Sequence, residues 1–245
     1  MTKLLFLDTE TTGNIPGTDR LCQVCYKTGD KIAEGLFKPP IPISVKSMSI
    51  THITNAMISD KEPFQGSSME TQLKKLLEDH VLIAHNAPFD IAMLTIEGLA
   101  VPRYICTLRV AQHLDKEDII PEYGLQYLRY LLELNVENVI AHDAKGDVLV
   151  LEALFKKLMH KMTQETGSED TAIKQMIKVS QQPFRINTLR FGKYKGEKLK
   201  DIAQKDPGYL DWLLGEKQKE ATQDTNNQFA QDFIFSIKHA LGRTE

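Results

Sequence analysis

The chain has 245 residues, 42% hydrophobic and 26% charged, and its Lys+Arg 30 against Asp+Glu 33 give a formal net charge of −3. That length suits one main domain with a smaller appendage, and the balance excludes a wholly basic nucleic-acid binder while leaving local patches open. No apolar run approaches the roughly 18 residues that span a bilayer, and Asp8 cuts Leu4-Leu5-Phe6-Leu7 short of a signal sequence, so a soluble, intracellular, cytoplasmic protein with no membrane partner is expected.

In chain order, residues 3–7 read as a strand, a turn-rich loop follows at Gly13-Asn14-Ile15-Pro16-Gly17, and Leu21–Tyr26 reads as a second strand. Ile32–Phe37 alternates weakly as a third, until Pro39, Pro40 and Pro42 remove the ladder donors. Cys22-Gln23-Val24-Cys25 spells CxxC, but it has no second pair, and positions three apart on a strand face opposite ways. With Cys106 the cysteines form an odd, sparse set suited to a reducing compartment.

Leu73, Leu76 and Leu77 recur at helical spacing, and Val81-Leu82-Ile83-Ala84 then reads as a short buried strand. Pro88 suits the first turn of a helix that carries Ile91, Leu94 and Ile96 and stops near Gly98. Further helices are predicted across Leu125–Leu134 and Asp147–Met159. The pattern gives an α/β class, a mixed sheet flanked by helices. The polar run from Thr163 to Asp170 places the end of the main domain at residue 162, with 163–182 as a linker or helix and 183–245 as a small α-rich basic module. That module closes in a helix bearing Phe229, Phe233, Ile237 and Leu241.

Asp8 and Glu10 lie two apart at the carboxyl end of a strand, so both project from one face. Held together, two such anions repel by about 4 kcal/mol at 4 Å and an effective dielectric near 20, a cost a divalent cation reverses. Taken alone, Asp8 reads equally as a turn residue and Glu10 as a solvent-facing one. Their company decides otherwise: His85-Asn86-Ala87-Pro88-Phe89-Asp90 follows a second buried strand, and His142-Asp143-Ala144-Lys145-Gly146-Asp147 opens a late helix. Each acid falls at a junction of elements, where sites cluster.

Phe6-Leu7-Asp8-Thr9-Glu10-Thr11-Thr12-Gly13 resembles the first motif of the DEDDh 3′–5′ exonucleases, His85 to Asp90 the second, and His142-x-Ala144-x-x-Asp147 the third, in the family's order. The resemblance implies a ribonuclease H-like fold and a two-metal site holding two Mg²⁺ or Mn²⁺ ions, with Asp8, Glu10, Asp90 and Asp147 holding the ions directly or through water and His142 as the base that deprotonates the attacking water. In isolation His142 reads as a helix-start histidine bonded to backbone; its place five residues before Asp147 favours the base. His85 reads as structural. Thr9, Thr11, Thr12 and Asn86 are the residues expected to grip the terminal nucleotide. The chain departs from the family pattern in having Gln23 for a glutamate and Cys106 before Thr107 for an aspartate.

Between Lys178 and Lys200 seven basic side chains stand against Glu197 alone, interleaved with Phe184, Phe191 and Tyr194. This reads either as a phosphate-contacting and base-stacking patch in which Lys193 and Lys195 bind substrate, or as a mini-domain core with a solvated rim. Phe191-Gly192-Lys193-Tyr194-Lys195-Gly196 with Asp206-Pro207-Gly208-Tyr209-Leu210 resembles the carboxyl-terminal module of exodeoxyribonuclease X-like proteins. That resemblance favours the 3′ end of DNA over RNA as partner. A 3′–5′ exoribonuclease and a non-catalytic nucleic-acid-binding module are the alternatives.

Overall fold

The computed structural model describes residues 2–136, 144–223 and 227–243. Strands β1 (Leu4–Thr11), β2 (Leu21–Thr28) and β3 (Lys31–Leu36) form an antiparallel meander. After helix α1 (Val45–Thr51), helix α2 (Ser68–Asp79) feeds strand β4 (Val81–Ala84), and α3 (Ala87–Ile96) leads to β5 (Tyr104–Cys106). Helices α4 (Thr107–Leu114), α5 (Leu125–Leu131), α6 (Ala144–Thr166) and α7 (Glu169–Ser180) follow. The sheet runs β3-β2-β1-β4-β5, with β4 parallel to β1 and β5 parallel to β4, so β1 is central.

Alternation along β1 sorts its side chains between two layers. Leu5 and Leu7 join Val24, Tyr26 and Leu82 in a core closed by Leu73 and Leu77 of α2 and by Met93 and Leu94 of α3. Ser67 fixes the start of α2: its side chain accepts from Glu70 N while the Glu70 carboxylate reaches back to Gly66 N. On the opposite face Phe6 meets Phe155 of α6 edge to face, centroids 5.4 Å apart. Lys27 of β2 pairs with Glu152 of α6 at 2.6 Å, a partly buried clamp on that layer. Asp8 and Glu10 share the parity of Phe6 and so belong to the α6 face, whereas Thr9 belongs to the α3 face.

The expected mixed sheet is present; α6 runs past the expected domain end at 162, and of the two alternatives for 163–182, linker or helix, most of the segment is helical. The polar run spans the end of α6, a helix–helix turn at Gly167, whose φ of 84° lies in the left-handed region, and the first residues of α7. Helix α7 beyond it buries Ala172, Ile173, Met176 and Val179. At its end the Ser180 hydroxyl accepts from Cys106 N at 2.8 Å, satisfying a donor of β5.

The chain divides into two compact units, one of Met1–Leu114 and Glu122–Ser180, the other of Asp115–Pro121 and Gln181–Glu245. The second contains α8 (Leu199–Lys205), α9 (Pro207–Gln223) and α10 (Gln228–Ala240) around Leu189, Leu199, Ile202, Leu210, Leu213, Phe233 and Ile237. Asp118 of the short segment accepts from the Thr188 hydroxyl at 2.6 Å and from Arg190 at 3.2 Å.

Candidate active site

Strand β1 delivers Asp8 and Glu10 to the face that α6 covers, and α6 brings Asp147 there from its first turn. One oxygen from each of the three carboxylates lies within 4.8 Å of the other two. Like charges at that separation repel by several kcal/mol, and an all-oxygen donor set of this kind fits a hard divalent cation. Asp90 stands beside this group rather than within it. From the first turn of α3 its Oδ1 accepts the Thr9 hydroxyl at 2.8 Å, and Thr9 lies between Asp8 and Glu10 in the chain. Burial pushes the Asp90 carboxyl up to about 7, against the opposing pull of the Thr9 hydrogen bond.

The threonines expected to grip a nucleotide are engaged within the protein. Thr9 holds Asp90, the Thr11 hydroxyl donates to the Gly13 carbonyl, and the Thr12 hydroxyl donates to Asp19 at 2.7 Å and accepts from Arg20 N at 3.1 Å. All three are buried, and they brace the loop after β1. Asn86 is exposed, with a left-handed φ of 61° at the start of α3. His142 lies outside the described residues. The His85 Nε2 donates to the Tyr123 carbonyl at 2.7 Å and its Nδ1 faces the Thr107 hydroxyl at 2.9 Å. Desolvation pushes His85 down to about 4, a neutral ring with a structural role.

Two glutamines that the sequence reading left without a supporting role brace the site, one on an acid and one on the helix that carries it. Gln126 of α5 donates to Asp147 Oδ1 at 2.5 Å. Gln23, opposite Glu10 in the ladder, donates to Glu34 at 3.0 Å and accepts from Ala144 N at 3.3 Å, fixing the start of α6. The only signal for Gln23 was its departure from the family pattern, and Gln126 carried none. Cys22 is buried, and desolvation aided by the Glu10 charge pushes its thiol up to about 12, which leaves it a poor ligand or nucleophile.

In the second unit Lys193 donates to Asp206 at 3.1 Å and lies 4.7 Å from the centroid of the Tyr194 ring, while Lys195 is exposed. The Tyr194 hydroxyl also donates to Asp206, at 2.6 Å, and Phe191 packs edge to face on Phe233. Much of the basic stretch is therefore mini-domain core and rim.

A carboxylate cluster raised on the central strand of a mixed sheet and completed by a late helix is an arrangement that suits metal-assisted phosphodiester hydrolysis. Residues 5–155 match the family described as Exonuclease, and residues 189–218 match the one described as Exodeoxyribonuclease X-like C-terminal. The chain is 30% identical to Exodeoxyribonuclease 10 of Escherichia coli (strain K12) across 98% of its own length and 100% of that protein. Among solved structures it resembles Exonuclease X in complex with 5′ overhanging duplex DNA, with a TM-score of 0.57 and 26% identity over 72% of this chain and 99% of that one. The Escherichia coli Exonuclease I complex with a dT13 oligonucleotide shares the fold, with a TM-score of 0.58 and 19% identity over 67% of this chain and 42% of that one. The chain belongs to the exonuclease family and is a 3′–5′ exonuclease hydrolase.

Proposed function

We propose that this exonuclease removes nucleotides one at a time from the 3′ end of DNA and releases nucleoside 5′-monophosphates. The observation that carries this reading is the convergence of Asp8, Glu10 and Asp147 within 4.8 Å. These three carboxylates, with Asp90, would hold two Mg²⁺ or Mn²⁺ ions, which when bound would stabilise the charge that develops on the attacking and departing oxygens. Thr9 keeps Asp90 aimed at the end of β1, and Gln126 fixes the orientation of Asp147. His142, whose side chain type has an unperturbed pKa near 6.5, takes the proton from the attacking water. Asn86 reaches the terminal nucleotide from the turn before α3, and Lys195 offers a phosphate contact. DNA is favoured over RNA because the similarity to Exodeoxyribonuclease 10 extends over 98% of the chain.

Matched 5′-labelled DNA and RNA oligonucleotides, followed by product length over time with Mg²⁺, test this. Stepwise shortening of the DNA from its 3′ end, stopped by EDTA, is the expected result. Wild-type turnover in EDTA, or faster digestion of RNA than of DNA, overturns the metal or the substrate assignment respectively. His142→Ala is expected to lower kcat far more than it raises KM.

A further inference from the structure

Helix α5 presents a surface that the scheme above does not use. Gln126 touches Asp147, so this part of α5 lies against the carboxylate group. Residues three and four further along a helix share its face, and here they are Arg129 and Tyr130. The Arg129 guanidinium donates to the Val136 carbonyl at 2.8 Å and to Gln126 Oε1 at 3.4 Å, and its central carbon lies 5.5 Å from the Tyr130 ring centroid. Tyr130 itself is 74% exposed, while the buried contact of α5 runs through Leu128. Core packing therefore does not account for the ring. It is a flat aromatic surface beside a cation that is pinned to backbone, one helical turn from the site.

We propose that this face binds the DNA strand just upstream of the nucleotide being removed, with a base stacked on Tyr130 and Arg129 providing positive potential for the phosphate. The inference rests on the exonuclease reading of the carboxylates. Four residues of helix advance about 6 Å, between one and two nucleotide repeats of about 3.4 Å, which places the stacked base second or third from the 3′ end. Every base has a π-face, so such a platform is indifferent to sequence but sensitive to length. The charge of Arg129 and the continuity of the face with the acid cluster select a nucleic-acid strand over an apolar partner.

The test compares Tyr130→Ala, Tyr130→Phe and wild type on two substrates with Mg²⁺: a short oligothymidylate, and the p-nitrophenyl ester of thymidine 5′-monophosphate, which has no upstream nucleotide. Tyr130→Ala is expected to raise KM for the oligonucleotide about tenfold, the scale of one base–aromatic stack, with kcat nearly unchanged and the ester hydrolysed as by wild type. Tyr130→Phe keeps wild-type KM because the ring is retained. An unchanged oligonucleotide KM in Tyr130→Ala, or an equal loss on both substrates, overturns the proposal. A wild-type protein inactive on both substrates removes the exonuclease reading itself, and the proposal with it.

Discussion

The two units differ in what they do with charge at their most charged places. Beside opposite pairs such as Lys27 with Glu152, the first also gathers like charges: Asp8, Glu10 and Asp147 meet within 4.8 Å, with a buried Asp90 bonded to the intervening Thr9. The second, in and around its basic stretch, pairs opposite ones, with Lys193 on Asp206 at 3.1 Å, Arg190 on Asp118 at 3.2 Å, Lys217 on Glu220 at 2.8 Å, and Lys205 on Glu197. Pairs of the second kind contribute at most about 1 kcal/mol each and neutralise their surface. Gathering of the first kind opposes folding, and groups held against such a cost cluster at functional sites. In sequence the two regions look alike, as charged residues among aromatics. What separates them is the sign of the neighbour.

The largest test of this contrast is Asp147→Asn. It is expected to lower turnover roughly a thousandfold or more without lowering the metal-free Tm, because one of three repelling charges is gone and Oδ1 still accepts from Gln126. Loss of the folded circular dichroism spectrum together with activity breaks the comparison. Next come two aspartates whose substitution is expected to act with opposite signs. The Asp90 carboxyl is raised to about 7 by burial, so the metal-free folded state binds its proton more tightly than the unfolded chain does. Stability then rises as pH falls from about 7 toward the unfolded value near 3.9. Asp90→Asn should accordingly stabilise the metal-free protein above pH 7, by up to about 4 kcal/mol, and the gain should vanish toward pH 4. Asp206 is held below the ordinary carboxylate range by hydrogen bonds from Tyr194 and then Lys193. Its contribution is present above about pH 3.9 and is lost as pH falls through the lower folded value, so Asp206→Asn should destabilise at neutral pH. Denaturant titrations across pH decide both, and shifts of the same sign refute the contrast.

A smaller effect is expected at Gln126→Ala, where Mn²⁺ affinity measured by calorimetry falls about tenfold while kcat at saturating metal is nearly kept. Unchanged affinity would mean that Gln126 does not orient Asp147. Smallest is Lys195→Ala, which should reduce the slope of log affinity against log salt by about 0.7 to 0.9. Lys193→Ala, whose charge is already paired, should leave the slope nearly unchanged, and equal effects would return the whole stretch to the phosphate-patch interpretation.

Much of this was legible before any coordinates. The parity of Asp8 and Glu10 placed both acids on one face, and the apolar run Val81–Ala84 coincides with β4. Strand β5 was not legible, because three residues carry no period. Helix α7 was obscured by the polar residues at its start, although Ala172, Ile173, Met176 and Val179 already traced an inward stripe. Asp90 was expected with Asp8, Glu10 and Asp147 to hold the ions directly or through water. Its tether to Thr9, across 81 positions of chain, depends on how α3 sits against β1, which no local pattern encodes. The same holds for Gln126 and Asp147, which sequence spacing does not connect.

The segment Asp115–Pro121 carries a further consequence. Because it is grouped with residues 181–245, the polypeptide crosses between the two units three times: after Leu114, before Glu122 and after Ser180. A single cleavage at residue 180 does not yield two self-contained pieces. It strands Asp118 away from Thr188 and Arg190, and it deprives the released fragment of the carboxylate that accepts from both. The second unit is thus discontinuous in the chain, and it cannot be moved as a cassette unless those seven residues travel with it.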